Sequence, residues 1–269
     1  MSSESISSSR EARRRHRLAD RVALITGGSR GIGAAVACAF AREGAAVALN
    51  YLPQPDMRQL AEQTTKQIVA DGETAISVGA DISDADAVQE MVACVSDAIG
   101  APDVLVLNAA AAGSQSWVDI DLESWDHVTA VNLRGAFICA RAVFPGMRAK
   151  GYGKIITVSS VMVELGLPDA LHYVTSKAGI IGFTRALSRE VGRDGICVNC
   201  VMPGAIRTEH ELERYPDQDE VYQSVIELQS LQRRGVPADV VGAFVYLASS
   251  ESDFMTGQVL NVDGGWAHY

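Results

Sequence analysis

Tyr173 and Lys177, in Tyr-Val-Thr-Ser-Lys, stand four residues apart, the spacing that puts two side chains on one face of a helix. An ammonium beside a phenol favours the phenolate, so the pair is suited to passing a proton. Ser160 precedes Tyr173 by thirteen residues, at the end of an apolar run that reads as a strand. Asn132 lies further upstream in Val131-Asn132-Leu133. Ahead of all four comes a glycine-rich turn, Thr26-Gly27-Gly28-Ser29-Arg30-Gly31-Ile32-Gly33. It follows a strand-like run and opens a helix-like one, so its backbone can approach a pyrophosphate while the helix N-terminus faces the charge. A glycine turn, a serine, a tyrosine and a lysine in this order point to hydride exchange with a carbonyl. Taken singly, Tyr173 reads more readily as a packed aromatic and Lys177 as a solvated lysine; the joint register carries the reading.

These residues need a scaffold, and the chain from Arg21 onward alternates strand and helix signals. Val22 to Thr26, Ala46 to Tyr51, Thr74 to Gly79, Val104 to Leu107, Lys154 to Val158, Cys197 to Val201 and Val259 to Val262 read as strands. Between them, Ile32 to Glu43, Met57 to Ala70, Asp84 to Ile99, Ser124 to Ala149, Leu171 to Val191 and Ala238 to Leu247 read as helices, with Gly135, Pro145 and Gly146 blurring the fourth. Val104 to Leu107 is apolar throughout, as a parallel strand covered on both faces should be. The alternation predicts an α/β fold, a single-domain Rossmann-type doubly wound parallel sheet with helices on both faces, over residues 20–269.

At 269 residues the chain suits one core, and no apolar run reaches the length of a membrane span. A net charge of −10 speaks against nucleic acid as a partner. Residues 1–19 differ in kind: Ser2 to Ser9 is serine-rich, and Arg10, Arg13, Arg14, Arg15 and Arg17 crowd around His16. The segment has no apolar stretch for secretion and reads as a flexible basic tail. The five cysteines form no disulfide pattern, which agrees with a reducing, cytoplasmic setting. Cys197 and Cys200 make a formal C-x-x-C, but on a strand they point to opposite faces, and the scattered histidines add no metal site.

From Arg21 to Gly265 the chain resembles the classical short-chain dehydrogenase/reductase family. Thr26-Gly27-x-x-x-Gly31-Ile32-Gly33 matches that family's cofactor turn, and Asn132, Ser160, Tyr173 and Lys177 match its active-site positions. The resemblance implies that Ser160 holds the substrate oxygen and Tyr173 is the general acid or base. It implies that Lys177 acidifies Tyr173 and holds the nicotinamide ribose, and that Asn132 holds a relay water. It also assigns Gly27, Ser29, Arg30, Gly31, Ile32, Gly33, Asn50, Tyr51, Asn108 and Ala109 to the cofactor, with Asp81 and Ile82 against its adenine. Pro203-Gly204-Ala205-Ile206-Arg207-Thr208 corresponds to the segment over the nicotinamide, with Ile206 and Thr208 at the carboxamide. One departure is Ala110, alanine where the family often has glycine.

Cofactor choice turns on the end of the second strand, where an acidic residue would bind a ribose 2′-hydroxyl and repel a 2′-phosphate. Tyr51 stands there instead, and Arg30 is a candidate phosphate partner, so NADP(H) is favoured over NAD(H).

The substrate reads as a small, mostly uncharged ketone or secondary alcohol. The stretch from Ala205 to about Leu231 is lid-like and acidic, carrying Glu209, Glu211, Glu213, Asp217, Asp219, Glu220 and Glu227 against Arg214, which disfavours carrier-bound thioesters. The alternatives are an NAD-dependent alcohol dehydrogenase, a 3-oxoacyl-thioester reductase, and a dinucleotide-binding sensor without turnover, for which the serine, tyrosine and lysine have no use. Family members are commonly tetramers, so a homotetramer or homodimer is expected, with Trp266 and Tyr269 touching a neighbour.

Overall fold

The computed structural model describes residues 16–268. Seven parallel strands form one sheet in the order β3-β2-β1-β4-β5-β6-β7. They are β1 (Val22–Ile25), β2 (Ala46–Tyr51), β3 (Ala75–Gly79), β4 (Val104–Leu107), β5 (Gly153–Val158), β6 (Ile196–Pro203) and β7 (Val259–Val262). In chain order the helices are α1 (Gly31–Arg42), α2 (Pro55–Ala70), α3 (Ala85–Ile99), α4 (Leu122–Thr129), α5 (Gly135–Lys150), α6 (Met162–Leu165), α7 (Leu171–Val191), α8 (Glu209–Arg214), α9 (Gln218–Ile226) and α10 (Pro237–Ala248).

The apolar strands are sandwiched as their composition requires. Phe40 of α1 and Phe244 of α10 pack with Ile25, Leu49 and Val106 on one face. Met91 of α3, Val143 and Met147 of α5 and Ile180 of α7 pack with Leu24, Leu105 and Val198 on the other. Sequence order reverses between β1 and β4, and in open parallel sheets the crevice at the carboxyl ends of such strands is where ligands bind.

Three details differ from the sequence expectation. The predicted helix from Ser124 to Ala149 is two helices, α4 and α5, joined by a π turn over Ala130–Arg134 that contains Asn132. Leu18 is 0 % exposed and its amide donates to the Glu43 carbonyl at 2.9 Å, so the packed fold reaches back into the stretch assigned to the tail. Residues 1–15, the rest of that assigned tail, lie outside the described residues, as does Tyr269. Trp266 lines this chain's own cavity together with Ser160 and Tyr173, a role the sequence reading had not given it alongside the expected contact with a neighbour.

Candidate active site

The glycine turn leaves β1 at Thr26 and enters α1 at Gly31, with Gly27 and Gly31 in the left-handed region at φ +62° and +60°. A Cβ on Gly33 would lie 2.2 Å from the Gly27 carbonyl oxygen, and one on Gly27 would lie 2.9 Å from Ala109 Cα. Only hydrogen fits at those positions, so the turn is wound tightly enough to offer bare backbone to a ligand.

Two side chains hold it so. Asn108 Nδ2 donates to the carbonyls of Thr26 and Gly27, each at 3.0 Å. Thr26 Oγ1 accepts from the amides of Asn108 at 3.0 Å and Ala109 at 3.1 Å. Asn50 joins from β2, accepting from the Gly27 amide at 3.4 Å and donating to the Ala80 carbonyl at 3.0 Å. Asn50 and Asn108, expected to bind cofactor, thus spend their side chains shaping its seat. Thr26 was not singled out as a site residue; a hydroxyl immediately before a glycine turn is the signal that marks it.

The N-terminus of α1 already faces an anion. The Gly31 amide donates to Glu209 Oε2 at 3.0 Å, and that carboxylate oxygen stands in for a phosphate oxygen. Arg30 Nη1 donates to both Glu213 oxygens, at 2.9 and 2.8 Å, and Nη2 lies 3.2 Å from His210 Nδ1. The tight glycines, the anion at the helix terminus and the arginine beside it fit a dinucleotide phosphate.

The other expected cofactor residues divide. Ser29 is buried with its hydroxyl 3.5 Å from Met57 Sδ, and Ile32 packs on the core. Tyr51 ends β2 at 7 % exposure with its ring against Gly79. Asp81 Oδ1 accepts from the amide and hydroxyl of Ser83 at 2.9 and 2.8 Å. Ile82 is buried in the core, its Cδ1 at 2.9 Å from where a Cβ on Gly135 would stand. Pro203 ends β6 and Gly204 follows it, pressed to Asp263. Ile206 bridges to Gly235, and Thr208 caps α8, accepting from the Glu211 amide at 3.3 Å.

The residues expected from sequence to transfer the proton meet at the carboxyl end of β5. Ser160 follows that strand, and α7 carries Tyr173 and Lys177 past it. Ser159 ties the two elements together, its hydroxyl donating to the Lys177 carbonyl at 2.9 Å. Burial pushes the Tyr173 phenol up, while hydrogen bonding from Ser160 and the Arg214 charge act to bring it down. Lys177 is buried; its ammonium donates to the Val158 carbonyl at 2.8 Å and sits 5.7 Å from the centre of the Tyr173 ring. Burial brings that ammonium down to about 8.

Asn132 is buried in the π turn. Its Oδ1 accepts from the Ala111 amide at 2.8 Å, and Nδ2 donates to the Ala111 carbonyl at 3.0 Å and to Ser176 Oγ at 2.8 Å. The side chain therefore clamps the loop after β4 against α7.

Ser160 and Tyr173 open onto a cavity of about 510 Å³. Met162, Leu167, Val221 and Trp266 give it apolar wall, and His210, Glu211, Arg214 and Asp169 supply charge or polarity. Among the described residues no group of three His, Cys, Asp or Glu is placed to hold a metal ion.

Comparison with known proteins follows the same lines. Residues 27–267 match the family model described as enoyl-(acyl carrier protein) reductase. A 3-oxoacyl-(acyl-carrier-protein) reductase of Synechocystis sp. is 36 % identical over 251 residues, covering 92 % of this chain and 97 % of the relative. A probable galactose dehydrogenase of Rhizobium meliloti is 38 % identical over 248 residues, covering 92 % and 95 %. The structure of a blue fluorescent protein from a metagenomic library, in complex with NADPH, superposes with a TM-score of 0.86 at 32 % identity, covering 94 % of this chain and all of that one. The chain belongs to the short-chain dehydrogenase/reductase family of NAD(P)-dependent oxidoreductases.

Proposed function

We propose that the protein is an NADP(H)-dependent oxidoreductase that interconverts a small ketone and the matching secondary alcohol. The observation that carries this reading is the shared cavity of Ser160 and Tyr173, with Lys177 buried directly behind the phenol. Bound NADP(H) supplies or accepts the hydride at the carbonyl carbon. The Ser160 hydroxyl donates to the substrate oxygen and steadies the negative charge developing there. Tyr173 gives its phenolic proton to that oxygen in reduction and takes it back in oxidation. A phenol that burial keeps protonated is ready as the acid, which suits the reductive direction. Lys177 restores the phenolic proton and holds the cofactor ribose, and Asn132 fixes the Ala111 loop beside them.

NADP(H) is supported by Arg30 at the turn and by the absence of an acidic residue at Tyr51. The remaining cofactor seat would comprise Gly27, Gly31 and Gly33 at the phosphates, with Pro203, Gly204, Ile206 and Thr208 near the nicotinamide. The test is Tyr173→Phe, with NADPH binding followed by fluorescence and turnover by absorbance. Retained binding with turnover lost by about 100-fold or more is expected. Unchanged turnover would overturn the role of Tyr173.

A second reading, reduction of 3-oxoacyl thioesters, is favoured by the Synechocystis relative. Comparing free ketones with thioesters on the wild-type protein separates the two. Trp117, Val118, Leu122 and Phe137 are exposed around α4 and α5, and apolar surface of this kind supports a homotetramer or homodimer, to be measured by light scattering. Five free cysteines support a cytoplasmic setting, which fractionation of the native host tests.

A further inference from the structure

We propose that Arg214 is the anchor for a carboxylate on the substrate, so that the substrate is an oxo acid and the product its hydroxy acid. This deepens the reductase reading and rests on it.

The acidic lid read from sequence argued for an uncharged substrate, yet the fold disposes of most of those carboxylates elsewhere. On the six-residue helix α8, Glu209 and Glu213 are four apart and turn to the glycine loop, where they hold the Gly31 amide and Arg30. Glu211 turns to the cavity but is neutralised by Arg234, in a pair with side chains only 14 % and 9 % exposed. Asp217 caps α9, and Asp219, Glu220 and Glu227 are exposed to solvent and do not line the cavity.

Arg214, three residues after Glu211, lies on the cavity face of α8 beside Tyr215 and forms no ion pair among the described residues. Its guanidinium lies 5.5 Å from the centre of the Tyr215 ring. It lines the same cavity as Ser160 and Tyr173, and its charge acts on Tyr173, His172 and His210. A planar cation with several free N–H donors, facing a half-enclosed space, is built to take a carboxylate edge-on. With the carbonyl oxygen at Ser160 and Tyr173, the acid group extends toward α8. Asp169 in the same wall adds negative charge that no ion pair among the described residues neutralises, and a monoanionic carboxylate tolerates it better than a dianionic phosphate does.

The probes are 3-oxo, 4-oxo and 5-oxo straight-chain acids, each beside its methyl ester, with dihydroxyacetone phosphate as the phosphate probe. Each is titrated calorimetrically into the NADP⁺-loaded protein, and each is assayed with NADPH. The wild type should favour at least one acid over its ester by about tenfold or more in both affinity and kcat/KM, mainly through KM. In R214M the acid-to-ester ratio should fall to about one, and R214K should keep part of it. An ester equal to its acid, a ratio that survives R214M, or failure to bind any of the acids would overturn the proposal. Tighter binding of dihydroxyacetone phosphate than of every oxo acid would overturn the carboxylate assignment. If an acid binds through Arg214 but no carbonyl is reduced, the anchor stands and the reductase reading falls. Reduction of uncharged ketones with no preference for acids does the reverse: the reductase reading stands and the anchor falls.

Discussion

Arg30 and Glu213 are 183 residues apart and joined by a two-pronged ion pair, 2.8 and 2.9 Å from Nη1 to the two carboxylate oxygens. Together with Glu209 on the Gly31 amide, the lid lays its own carboxylates on groups that suit the cofactor phosphates. On the proposed assignment of Arg30 and Gly31 to the cofactor phosphates, cofactor binding displaces both. The Arg30 and Glu213 side chains are 25 % and 61 % exposed, so the pair contributes at most about 1 kcal/mol. Glu213→Gln should therefore tighten NADPH by roughly twofold to fivefold and leave NADH nearly unchanged. Glu209→Gln should tighten both cofactors alike, because a pyrophosphate is common to both. Arg30→Ala should weaken NADPH selectively. Fluorescence titration of the two cofactors checks all three, and equal effects of Glu213→Gln on NADPH and NADH would mean that Arg30 does not read the 2′-phosphate. Tyr51→Asp is a less direct probe, since a residue 7 % exposed cannot be changed without disturbing its packing on Gly79.

Gly33→Ala should be far more damaging than its one methyl suggests. The added carbon would sit 2.2 Å from the Gly27 carbonyl oxygen and close to Asn108 Nδ2, both parts of the clamped turn. Overpacking of this kind costs about 1–3 kcal/mol, and the turn must open to relieve it. The expected result is a lowered thermal midpoint with NADPH binding abolished. Normal binding would show that the turn has room the backbone does not display.

The sheet, its order of elements and the helix bearing Tyr173 and Lys177 were legible because apolar four-to-eight-residue runs alternate with helical periodicity. Leu171–Val191 matches its predicted bounds for that reason. The π turn at Ala130–Arg134 was not legible: an extra residue in a helical turn leaves the apolar spacing almost untouched, and Gly135 and Pro145 drew attention elsewhere. The destinations of the lid carboxylates were equally hidden, since Glu209, Glu211 and Glu213 look alike in one dimension. Only the rotation of α8 sends the first and third to the glycine loop and the second to Arg234. Asn108 and Asn50 were identified as important, but their task of holding the turn depends on strands β2 and β4 lying on either side of β1.

Asn132→Ala should reveal how much the clamp on the loop after β4 is worth. The substitution strips partners from the Ala111 amide, the Ala111 carbonyl and Ser176 Oγ in a buried setting. Leaving such groups unpaired costs about 1–3 kcal/mol in all but the most forgiving sites. Ala112 begins the cavity wall one residue on, so kcat/KM should fall along with stability. Denaturant unfolding and steady-state kinetics measured together test this. A loss of turnover at unchanged stability would instead assign Asn132 a direct part in proton transfer.

Lys177 gives the protein a pH-dependent stability whose sign is fixed by its burial. Its folded value is about 8 against an ordinary 10.5, so between those two values the unfolded chain binds more protons than the folded one. Stability then rises with pH across that window, with a slope of up to about 1.4 kcal/mol per pH unit from this group. Below pH about 8 the ammonium is charged in both states, and its burial cost is fully present and constant. Lys177→Met removes the titration, so the difference between wild-type and variant unfolding free energies should change steadily from pH 8 to 10 and be flat from pH 6 to 7.5. Burial keeps the Tyr173 phenol up, so its ionisation, which the missing ammonium also affects, enters only toward the alkaline end of the series, and the slope is read over the lower part of the window. A pH-independent difference would mean that Lys177 keeps its full charge in the folded protein, held by the Val158 carbonyl and its surroundings more strongly than burial opposes it.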